Sequence, residues 1–112
     1  MANGRRGEIA ATVAGRRFVL CLTLGALAEL ETAFAVGDLG ALGERLGSGR
    51  LAADDLAKLL GAGLRGGGQP IGDEEVRSWP AAHLPEMTAA VARLLAATFG
   101  GPEPRPPEPQ GV

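Results

Sequence analysis

The sequence predicts an α+β fold that is mostly α. An N-terminal β-hairpin within residues 8–22 leads into about five short amphipathic helices within 24–99, and a disordered Pro-rich tail follows at 101–112. Three observations carry this. Ile9, Ala11 and Val13 alternate with Glu8, Ala10 and Thr12, Ala14-Gly15 interrupts, and an apolar run resumes from Phe18 to Leu22, which is hairpin patterning. At Thr23 the period changes: Leu24, Leu27, Leu30 and Phe34 fall at helical spacing, and the Thr23 hydroxyl can accept an orphan backbone N–H as N-cap. From Gly101 onward, repeated Pro blocks helix and sheet, and there is almost nothing to bury. Residues 1–100 are therefore expected to form one domain, with the tail outside it.

The later elements follow in order. Val36-Gly37-Asp38 breaks the chain, and Leu39, Leu42 and Leu46 mark a second helix with Asp38 as N-cap. Gly40 and Gly43 each weaken it by up to about 1 kcal/mol relative to Ala, so it depends on packing. The next two helix starts share a hydrophobic staple, Leu51 with Leu56 and Ile71 with Val76, with acids between them that suit the positive end of the helix dipole. Ala52 and Gly72 stand where Ser or Thr usually caps, so Ala52→Ser is expected to stabilise. Leu56, Leu59, Leu60 and Leu64 line the third helix, and Gly66-Gly67-Gly68 is read as a flexible stop free to take positive φ. Trp79-Pro80 ends the fourth. The fifth starts near Pro85 and runs through Met87, Val91, Leu94, Leu95 and Phe99 to Gly100-Gly101-Pro102.

Composition narrows function by exclusion. Aromatics amount to three Phe and one Trp, so the core must be built from Leu, Val and Ala. A formal net charge of −2 argues against a protein whose business is neutralising phosphate. Arg5, Arg6, Arg16 and Arg17 could form a local basic patch, but no stacking aromatics accompany them, and a solvated hairpin end is the expected reading. The single cysteine, Cys21, cannot form an internal disulfide, which fits a cytoplasmic setting. The longest apolar stretch, Phe18 to Leu30, is broken by Thr23 and Glu29 and is too short to span a bilayer, and no signal-peptide layout is visible.

The inventory for catalysis is thin, and no enzyme is expected. His83, the one histidine, precedes the last helix, where it suits a surface or helix-start role. Cys21 has no base or electropositive setting in view. One Cys and one His do not make a zinc site, and no metal or other cofactor is expected. Gly66-Gly67-Gly68 follows a helix and lacks the Lys-Ser/Thr ending of a phosphate loop. Asp54-Asp55 and Asp73-Glu74-Glu75 are accounted for by their place in first helical turns.

Three blocks carry a family resemblance: the Arg6-Gly7-Glu8 opening, Leu20-Cys21-Leu22-Thr23-Leu24-Gly25-Ala26-Leu27-Ala28-Glu29-Leu30-Glu31, and Gly63-Leu64-Arg65-Gly66-Gly67-Gly68, with Asp73-Glu74-Glu75-Val76 beyond. In order and spacing, from Asn3 to Gly100, the chain resembles the small tail-assembly proteins of gene transfer agents and related long-tailed phages. Such proteins have been described both as tail tube proteins and as tail assembly chaperones. The resemblance implies a tape measure protein as partner, held soluble until tube subunits polymerise around it. A tail tube subunit is the alternative reading, and would make the protein virion-associated; a DNA-binding regulator ranks third. An exposed apolar face is expected partly on the first and last helices. Its candidate residues are Leu24, Leu27, Leu30 and Phe34, with Met87, Val91, Leu94 and Leu95; for each, core packing is the competing role. Homo-oligomerisation is left open, and neither membrane nor nucleic acid is expected as a partner.

Overall fold

The computed structural model describes residues 7–48 and 50–100. The Pro-rich tail expected at 101–112, and Arg5 and Arg6 of the basic cluster, lie outside the described residues. The chain opens with β1 (Ile9–Val13) and β2 (Arg16–Leu20), paired antiparallel with Ala11 opposite Phe18 and Val13 opposite Arg16. The two-residue turn takes positive φ at both Ala14 (55°) and Gly15 (80°), the backbone that matches strand twist in a tight hairpin.

The helices are α1 (Leu24–Ala33), α2 (Leu39–Gly47), α3 (Ala53–Gly66), α4 (Asp73–Arg77) and α5 (Leu84–Phe99), with a 3-10 turn at Ala81–His83 before the last. Their starts are set by local chemistry. The Ala26 N–H donates to Thr23 Oγ1 at 3.1 Å, and the Ala41 N–H to Asp38 Oδ1 at 2.7 Å. At α3, Ala52 offers no side-chain acceptor, but its N–H donates to Asp55 Oδ2 at 2.9 Å, half of a capping box. Gly72 caps α4 in extended backbone with no side-chain bond, and Pro85 sits in the first turn of α5.

Two helices end alike. After α1 the Val36 N–H donates to Glu31 O and Ala35 N–H to Thr32 O; after α3 the Gln69 N–H donates to Leu64 O and Gly68 N–H to Arg65 O. This is the Schellman pattern, with Ala35 (φ 55°) and Gly68 (φ 98°) in the left-handed position. The glycine run at 66–68 is thus only partly a matter of positive φ, because Gly67 has φ −87°. A Cβ on Gly66 would collide with the Cys21 carbonyl, and one on Gly67 with the Val19 carbonyl. The flexible stop expected from sequence is instead a tight backbone seam between α3 and β2.

Around α3 the rest assembles: it packs on α1, α4, α5 and β2, while α5 also covers β1. The core is aliphatic, with Leu20, Leu30, Leu42, Leu59, Leu60, Leu64, Val91 and Leu94 among its most buried side chains. Small residues allow the close approaches. A Cβ on Gly63 would press on Leu94 Cδ2 at 2.6 Å.

Candidate functional site

An apolar groove of about 420 Å³ opens at the N-terminal end of α3. Leu56, Val76 and Met87 are buried along it, while Ala53, Ala81 and Leu84 are exposed lining residues. Three alanines (Ala53, Ala57, Ala81) leave the hollow, because no long side chain from either helix end fills it. Trp79 supplies a wall, and its ring stacks on Phe18 with centroids 5.9 Å apart and planes at 18°. On Phe18, in turn, the Arg16 guanidinium lies 4.8 Å from the ring centroid. Strand β2 therefore braces the groove wall from behind.

Ionic contacts frame the groove. Arg77 reaches Asp54 at 2.7 Å and Glu74 at 3.4 Å, and Lys58 reaches Asp54 at 3.1 Å. Hydrogen bonds from Arg77 and then Lys58 hold the Asp54 carboxyl below the usual carboxylate range. Asp55 is also lowered, chiefly by the Ala52 N–H, with Arg45 contributing from 3.0 Å. At the far end of α3, Arg65 donates to Ile71 O at 2.9 Å, Asp73 Oδ1 at 3.1 Å and Glu29 Oε1 at 2.9 Å, joining α1, α3 and α4. Glu29 and then Asp73 raise its pKa further. A Cβ on Gly61 would collide with Asp73 Oδ1, so that glycine makes room for the clamp.

The residues proposed from sequence for partner contact divide sharply. Leu24 is 76% exposed at the first position of α1. Leu27, Leu30, Met87, Val91 and Leu94 are buried in the core, and of these Met87 alone lines the groove. The physical reason is the short chain: hairpin, α3 and the two stripes have only one another to pack on. Phe34 and Leu95 are half-buried; the Phe34 ring carries Arg45 at 5.2 Å and Lys58 at 5.7 Å from its centroid. Met87 is a groove-lining side chain only 6% exposed. Other large exposed apolar side chains are Leu39, Leu84 and Phe99. Sequence reasoning missed Trp79, Leu84, Ala53 and Ala81; the available signal was a lone Trp directly before Pro80, read only as a helix stop.

Polar chemistry is otherwise spent on the fold. His83 Nδ1 lies 3.4 Å from Glu86 Oε1, which also accepts the Ala14 N–H at 3.0 Å and ties the hairpin turn to α5. Arg93 donates to Ala10 O at 2.7 Å. Cys21, half-buried one residue past β2, donates its N–H to Gly63 O at 3.0 Å. Among the described residues, no group of three or more His, Cys, Asp and Glu side chains could hold a metal ion, and no helix is long and apolar enough to cross a membrane.

A helix-rich domain with an apolar groove, its charged side chains mostly bracing its own elements, defines the class: a small, mostly helical α+β module. Within that class the chain belongs to the family described as phage tail tube protein, GTA-gp10, which matches residues 6–101. It is thus a phage or gene transfer agent tail protein, as its sequence blocks suggest. No curated protein and no solved structure matches the chain.

Proposed function

We propose that the protein is a tail assembly chaperone that holds the tape measure protein soluble until tube subunits polymerise around it. The observation that supports this reading is the strand inventory. Among the described residues there is one two-stranded sheet with strands of five residues each, and both strands are engaged by the chain's own helices. The C-terminal turn of α3 lies on the Val19 and Cys21 carbonyls, and Arg93 of α5 takes the Ala10 carbonyl. A tube ring closes through extended strands paired around its lumen, which demands longer strands with open edges. Holding by burial of an apolar client helix needs neither, and it needs no turnover and no nucleotide. Displacement by polymerising tube subunits would release the client.

The second reading, a structural tube subunit, is favoured by the family's description as a phage tail tube protein. Co-expression with the tape measure protein of the same gene cluster separates the two. The chaperone reading expects a soluble complex that co-purifies and a protein absent from mature particles. An insoluble tape measure protein, with this chain at many copies in purified tails, would establish the tube reading instead.

A further inference from the structure

We draw no further inference here: the strongest candidate, the apolar groove at the N-terminal end of α3, carries nothing because its two charged lining residues, Asp54 and Arg77, are paired with each other and nothing in the structure shows what covers it.

Discussion

The two ends of α3 are built on opposite plans. At its C-terminal end the helix is sewn to β2 and the residue after it by backbone: Gly66 and Gly67 lie on the Cys21 and Val19 carbonyls, the Cys21 N–H donates to Gly63 O, and Arg65 gathers Glu29, Asp73 and Ile71 O around one guanidinium. At its N-terminal end, alanines and a half-completed cap border an open apolar hollow. One end spends its small residues on contact, the other on space. The difference teaches that small side chains carry no fixed meaning; what matters is whether another backbone arrives to use the room.

The sharpest way to break the contrast is Gly67→Ala. A methyl group directed at the Val19 carbonyl forces the seam apart, with an expected loss of about 3 kcal/mol and ~10–20 °C in melting temperature by calorimetry. Next comes Arg65→Met, which keeps the stem but removes the clamp on α1 and α4. Its side chain is one-third exposed, so a loss of about 1–2 kcal/mol is expected in urea unfolding. At the open end the sign reverses. Ala52→Ser completes the capping box that Asp55 already half makes, and a gain of about 0.5–1 kcal/mol is expected; no change would show that the Asp55 bond alone suffices.

The smallest effect is pH dependence at the same end. Asp54 and Asp55 both have folded pKa values below the ordinary range, so the stability they contribute is present above the unfolded-state pKa of about 4 and is lost as pH falls through the folded values. Melting temperature should therefore be level near neutrality and decline below pH ~4. Asp55→Asn should flatten that decline, and an unaltered acid profile would remove Asp55 from the account.

What could be read from the sequence was whatever local chemistry decides. Thr23 and Asp38 cap the helices expected of them, Ala14-Gly15 turns the hairpin, and α3, α4 and α5 start at the staples and at Pro85. Such features depend on neighbours within a few residues. The role of Gly66 and Gly67 was not legible, because the strand they touch lies more than forty positions away in the chain. Nor was the direction of the apolar stripes: Leu27, Leu30 and Met87 look the same in sequence whether they face a partner or α3. The groove arises from three helix segments meeting, and only Trp79 hinted at it.

Because β2, α1, α4 and α5 all pack on α3, the hairpin and α1 emerge during synthesis before the helix they pack on. The hairpin and α1 are complete by residue 33, yet the seam that receives them ends at Gly66. At ~5–20 residues per second, the ribosome imposes a wait of a few seconds on an isolated two-stranded hairpin, which is marginal in water by itself. Folding is therefore gated by emergence of α3, and a nascent chain stalled before Gly66 would expose Phe18, Leu20 and Leu30 to whatever holdase is at hand.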